Sequence, residues 1–304
     1  MRVLFAVLAA GFLAGCGGSE SESEPRDHGR GTLEALSRQA GEDVGLIPGT
    51  SDYAPGAVRF SFLVVREDGQ PVFRPRARVW IARERNAKPF ATTLARLENV
   101  GVPGASQSAE DDVKRIYVAR ARLPRPGKYW VLAEPVGGEP VQGLGNLLVR
   151  RETASPAVGA KAPPSRTPTL ASTDGDLEAL TTRVPPDREL LRHSIADSVA
   201  ARKPFVVVFA TPEFCTSRTC GPVVDVVDEV RNRFAATDVR FIHVEIYEDN
   251  EPALGPNRWV GQWRLPSEPW VFLVGRDGRI KAKFEGPVSV GELTRAVRRT
   301  LTAS

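Results

Sequence analysis

Two thiols and the four residues between them hold the densest chemistry in this chain: Cys215-Thr216-Ser217-Arg218-Thr219-Cys220. Such a pair suits thiol–disulfide exchange, in which a thiolate attacks a disulfide sulfur, or capture of a soft metal ion. Other chemistries lack their residues. The 304-residue chain has three histidines and three cysteines, and it has no glycine-rich phosphate loop. No motif calls for an organic cofactor. The net charge of +4 is spread along the chain without a dense lysine and arginine tract beside aromatic residues, which argues against nucleic acid as a partner.

The third cysteine sets the compartment. Residues 1–16 run from one arginine through a short apolar stretch to small residues ending in Leu13-Ala14-Gly15-Cys16. That apolar core falls short of the roughly 20 residues a membrane span needs and reads as an export signal. Leu13-Ala14-Gly15-Cys16 resembles the lipobox of bacterial lipoproteins. The resemblance implies cleavage before Cys16, acylation of its sulfur, the lipid bilayer as a partner, and a site on the extracytoplasmic side of the cell membrane. Disulfides persist there, and only Cys215 and Cys220 remain to form one.

The elements that must position the thiols follow from periodicity. After a signal at 1–15, residues 16–45 read as a flexible tether rich in Gly, Ser and Glu. Residues 46–152 alternate as strands do, with Phe60, Phe62 and Val64 on one face, then Val79 and Ile81, Tyr117 and Ala119, and Tyr129, Val131 and Ala133. Several short strands divided by turns predict an immunoglobulin-like β-sandwich, and residues 101–112 read as an exposed loop. Prolines recur across 153–186, which reads as a linker with a strap at its far end. From 187 the order is helix, apolar strand at 204–210, the thiol loop, a helix with Val223, Val224, Val227 and Val230 inward, a strand at 239–247, a hairpin around Gly275-Arg276-Asp277-Gly278, and a final helix.

That order, with the thiols between the first core strand and its helix and Pro269 ahead of the hairpin, makes 187–304 resemble a thioredoxin-like domain. The resemblance implies an α/β fold with a central mixed sheet and a cis Pro269 facing the cysteines. It also implies exchange through a mixed disulfide. The spacing departs from the family, which places two residues between its cysteines. Counted from the strand, Cys215 takes the nucleophile's place. Counted from the helix, Cys220-Gly221-Pro222 does, and the helix amino terminus favours Cys220 as the low-pKa thiol. Arg218 is placed to stabilise a thiolate and Thr219 to cap the helix. Glu268 brings a carboxylate near the thiols.

The leading expectation is therefore a membrane-anchored, extracytoplasmic thiol–disulfide oxidoreductase. It would act through Cys215 and Cys220 on a protein thiol or disulfide substrate or a membrane redox partner, with Pro269, Glu268, Arg218 and Thr219 positioning that substrate. Two alternatives stand beside it. One is a copper-binding assembly factor, since two thiols plus His243 make a soft-metal set resembling copper-delivering thioredoxin-like proteins, although those use tighter cysteine spacing and a histidine in a later loop. The other is a non-catalytic envelope-binding lipoprotein with a structural disulfide. His243 and Glu245, on a strand, read as satisfied by local partners. Trp259 and Trp263 read as core behind the proline loop, and Trp270 as part of a central strand.

Overall fold

The computed structural model describes residues 31–38, 42–104 and 113–302. The export signal and Cys16 lie outside them. The first element is a single helical turn, α1 (Leu33–Ser37), whose amide of Ala35 is capped by the Thr32 hydroxyl. Its Leu33 and Leu36 pack on Trp80, Ala82 and Leu132.

Seven strands follow: β1 (Glu42–Pro48), β2 (Gly56–Arg66), β3 (Arg76–Ala82), β4 (Ala91–Asn99), β5 (Arg115–Leu123), β6 (Gly127–Pro135) and β7 (Val141–Val149). They hydrogen-bond in the order β1-β2-β5-β4-β3-β6-β7 and close into a barrel. Closure is made by β1, antiparallel to β2 through Val44↔Arg66 and parallel to β7 through Glu42↔Val141. The alternating residues point inward, with Phe60, Phe62, Val64, Val79, Ile81, Tyr117, Tyr129 and Val131 all nearly inaccessible. Phe62 stacks on both Phe60 and Tyr117. The expected immunoglobulin-like sandwich is thus corrected to a closed barrel. The period-2 pattern is shared by both architectures, and the strand that abolishes the open edges begins at Glu42, among residues read as tether.

The remaining strands and α-helices are α2 (Ile195–Ala200), β8 (Phe205–Phe209), α3 (Cys220–Arg233), β9 (Arg240–Val244), α4 (Arg258–Trp263), β10 (Trp270–Val274), β11 (Ile280–Glu285) and α5 (Val290–Thr300). They build an open four-stranded sheet of order β11-β10-β8-β9, in which only the β8–β9 pair is parallel. β8 and β10 are buried along their whole length, because each of their faces meets a separate apolar layer. Val206 and Val208 face α3 and α5, while Phe205, Val207 and Phe209 pack with Trp263 and Phe272 on the other side. A continuous apolar run is what a strand covered on both faces requires.

Barrel and sheet share a core. Val100, Ile116 and Val118 of the barrel join Val223, Val227, Leu293 and Val297 in one cluster. Glu292 on α5, with 1% of its side chain exposed, takes ion pairs from Arg59 (2.9 Å) and Arg120 (2.8 Å) of the barrel. The expected pair of a sandwich and a thioredoxin-like domain is therefore replaced by a closed seven-stranded barrel packed on an open four-stranded sheet with helices.

Residues 153–186 run as a strap along this assembly. Asp52 accepts from the amides of Ala154 and Ser155 and from the Ser155 hydroxyl. Further along, the Gly159 and Ala162 amides donate to Ile280 and Gly278. The indole N–H groups of Trp259 and Trp263 donate to Arg166 O and Ser165 Oγ. No helix among the described residues is long and apolar enough to cross a membrane.

Candidate metal-binding site

β8 ends at Phe209, the buried Ala210 and Thr211 follow it, and the chain then loops through residues 212–219 before α3 begins at Cys220. Two devices hold the loop. Arg218 turns back with φ 56°, in the left-handed region, and its carbonyl accepts from the Val113 amide of the barrel at 3.0 Å. Pro222 packs under Gly101, where a side chain would meet its Cβ at 3.4 Å.

The two sulfurs sit in different surroundings. Cys220 is fully buried and Cys215 only partly so. The first amide of α3, that of Cys220, donates to Cys215 Sγ at 3.1 Å, and Ser217 Oγ lies 3.3 Å from the same sulfur. The Cys220 thiol also donates to it. That hydrogen bond, outweighing burial and helped by Ser217 and the amides of Thr219 and Cys220, takes the Cys215 thiol down to about 6. Burial drives Cys220 well above the ordinary thiol range, and its bond to Cys215 adds to the effect. The helix terminus therefore favours the thiolate of Cys215, which reverses the assignment expected from helix position. Cys220 starts the helix, but its side chain points into the core while its N–H points out at Cys215.

Glu268 completes the set. Its peptide bond to Pro269 is cis, and Pro269 is buried. The carboxylate accepts from Thr216 N at 3.3 Å and Thr216 Oγ1 at 3.4 Å. Burial raises its pKa, and the neighbouring Cys215 charge raises it further. One ligand atom each from Cys215, Cys220 and Glu268 lies within 4.8 Å of the other two.

Thr219 occupies the cap position of α3 with φ −130° and ψ −7° and makes no side-chain cap. Its hydroxyl is 2.8 Å from Ser217 Oγ instead. Arg218 is exposed at the loop's tip. Ser217 and Thr216 were missed as contributors, although three hydroxyl residues between two thiols were the available signal.

His243 stands apart. Nε2 lies 3.0 Å from the Ala210 carbonyl, which only accepts, so Nε2 carries the proton. Nδ1 then accepts from Thr181 Oγ1 at 3.2 Å. Burial lowers its pKa to about 4. Both ring nitrogens are spent, and the histidine belongs to no metal set with the thiols. Glu245 beside it accepts from the Thr182 amide and hydroxyl through Oε1, while Oε2 is buried without a partner. Burial raises its pKa to about 7.

The expectation of a redox-active disulfide is corrected at this site. Cys215 and Cys220 are free thiols, and with Glu268 beside them they form a group that could hold a metal ion. No protein-family model and no curated protein matches the chain.

Proposed function

We propose that this protein binds a thiophilic metal ion, Cu(I), through Cys215, Cys220 and Glu268, and carries it as cargo for an acceptor protein. The observation supporting this is the convergence of two sulfurs and one carboxylate within 4.8 Å. Thiolates select soft ions such as Cu(I). Three donors, with no fourth in the set among the described residues, suit the low coordination numbers of Cu(I) better than a structural zinc site, which takes four. Cys215 is already largely a thiolate at neutral pH, so binding releases chiefly the Cys220 proton. An extracytoplasmic, lipid-anchored setting rests on the sequence around Cys16 alone.

The test is competition of the reduced protein against bicinchoninate for Cu(I), with Zn(II) measured in parallel. One Cu(I) per chain is expected. Cys215→Ser and Cys220→Ser should each weaken binding by more than about 100-fold, beyond the loss of an outer-shell partner, and Glu268→Gln by about 10-fold. His243→Ala should leave affinity unchanged. Retention of Cu(I) by the double cysteine variant would overturn the proposal, and tighter binding of Zn(II) would replace the ion.

A further inference from the structure

The outer face of the barrel over β3, β4 and β5 gathers arginines that lie apart in the sequence. Side chains alternate across a strand. With Ala77, Val79, Ala95 and Ala119 turned into the barrel core, Arg76, Arg78, Leu94, Arg96, Arg120 and Arg122 point out. Register brings them together: Arg76 stands directly opposite Arg96, and Arg78 opposite Leu94. Arg96 is also opposite Val118, which sets Arg120 beside Leu94 and Arg122 beside Thr92 further along the same strand pair. Leu94, at the centre, is 52% exposed.

These charges are weakly compensated. Arg120 reaches Glu292 yet keeps 65% of its side chain exposed. Arg76, Arg96 and Arg122 are exposed and Arg78 is half-buried, and none of them makes an ion pair among the described residues. Of the carboxylates on this face, Glu98 takes the Ser289 hydroxyl and Glu134 stands opposite Arg78 on β6. Like charges directly opposite each other destabilise a sheet, and a negatively charged surface laid over Arg76 and Arg96 relieves that repulsion.

The amino-terminal end of the folded chain lies at the same face. α1 lays Leu33 and Leu36 on Trp80, and the Arg78 guanidinium lies 5.8 Å from the Trp80 ring centroid. From Gly31 back to Cys16 a backbone reaches at most about 50 Å, so an acyl group on Cys16 would keep this face close to a bilayer.

We propose that this face docks on the anionic surface of a lipid bilayer, with the arginines against phosphate headgroups and Leu94 among them. A lipid surface presents many anionic groups in no fixed geometry, which suits guanidiniums spread over a convex sheet with no pocket between them. The position of Gly31 favours a bilayer over an acidic protein, on the reading of Cys16 as a lipid anchor. The charge argument depends neither on Cys16 nor on the metal set.

Sedimentation with sucrose-loaded vesicles tests this. Gly31–Ser304 is one compact unit, so the fragment 31–304, which lacks Cys16, separates the face from the anchor. It should bind phosphatidylcholine vesicles carrying about 30% phosphatidylglycerol, half-saturating at about 0.1–1 mM lipid, and not pure phosphatidylcholine. About 0.5 M salt should release it. Arg76→Gln/Arg96→Gln/Arg122→Gln should weaken binding about 100-fold, about 5-fold per arginine, and lysine at the same positions should restore it to within about 2-fold. Arg120 is left in place because it also holds Glu292. Arg166→Gln/Arg188→Gln/Arg202→Gln, the same charge change at exposed arginines outside the barrel, should stay within about 3-fold of the native fragment. Equal binding to neutral and anionic vesicles, no binding to anionic vesicles at about 5 mM lipid, equal losses in the two glutamine variants, or a lysine variant as weak as the glutamine one would overturn the proposal. If polyglutamate binds at this face and the vesicles do not, the partner is an acidic protein and the proposal falls.

Discussion

The thiol corner and the polar cluster on β9 sit at the ends of neighbouring strands and use their polar atoms in opposite ways. At the cluster, His243 spends both ring nitrogens on Thr181 and Ala210, Glu245 is held by Thr182, and Arg183 grips Asp225 through Nε and Nη2 at 3.1 and 2.9 Å. At the corner, two sulfurs and a carboxylate converge with coordinating capacity left over. A histidine near two cysteines is not a ligand when its lone pair is already engaged. Glu245 Oε2 is left over in the cluster too, so what separates the corner is the convergence of three such atoms on one point, which residue type does not reveal.

The largest break in this contrast should come from Arg183→Met. Only 9% of the Arg183 side chain and 1% of the Asp225 side chain are exposed, so the substitution takes the guanidinium away from a buried carboxylate. A loss of about 3–5 kcal/mol in urea denaturation is expected. The double variant Arg183→Met/Asp225→Leu should regain most of it, because the cost lies in burying the carboxylate without its guanidinium. A loss below about 1 kcal/mol would mean that water reaches the pair.

The pH response of the cluster is the next largest effect. His243 has its folded pKa lowered to about 4, so the unfolded chain binds its proton more readily from there up to the ordinary histidine value of about 6.5. This alone makes stability rise with pH across that window. Glu245 has its folded pKa raised to about 7, so the folded chain binds the extra proton between the ordinary carboxyl value of about 4.5 and 7. This alone makes stability fall with pH there. From about 4.5 to 6.5 the two slopes cancel. Glu245→Gln removes one of them, and stability should then climb by about 1.4 kcal/mol per pH unit across that range, followed by urea melts at half-unit steps. A flat profile in the variant would show that His243 titrates normally.

The parts legible in the sequence were those set by local pattern. Alternation at Phe60, Phe62 and Val64 marks strands, and the run 204–210 marks a strand buried on both faces. Barrel closure was not legible, because it depends on β1 meeting β7 about a hundred residues away in sequence, and Glu42-Asp43-Val44-Gly45 carries little alternation. The strap at 153–186 read as a linker because its bonds go to residues 278–280 and to the tryptophans of α4, not to neighbours in sequence. At the site, the cysteines and Glu268 were visible as residue types. The roles of the two thiols were not, since they turn on which group the Cys220 amide faces. The partners of His243 come from residues 181 and 210, a relation only the fold creates.

The smallest expected effect concerns how α3 begins. A threonine at a helix start ordinarily accepts from the amides of the first turn, and removing such a cap costs about 1 kcal/mol. The Ser289 hydroxyl does this for α5, accepting from Glu292 N at 3.2 Å and donating to Glu98 at 2.9 Å. Thr219 does not: its hydroxyl pairs with Ser217, while the Cys220 amide is turned to sulfur. Thr219→Val preserves volume at this buried position and should cost less than about 0.5 kcal/mol, whereas Ser289→Ala should cost about 1 kcal/mol or more. The hydroxyl's consequence should appear in the chemistry instead. Losing its hold on Ser217 loosens one of the groups stabilising the Cys215 thiolate, so the pH midpoint for alkylation by iodoacetamide should rise from about 6 in the reduced protein. If Thr219→Val destabilises the fold as much as Ser289→Ala and leaves that midpoint in place, the hydroxyl serves the helix after all, and the corner loses the feature that sets it apart from the cluster beside it.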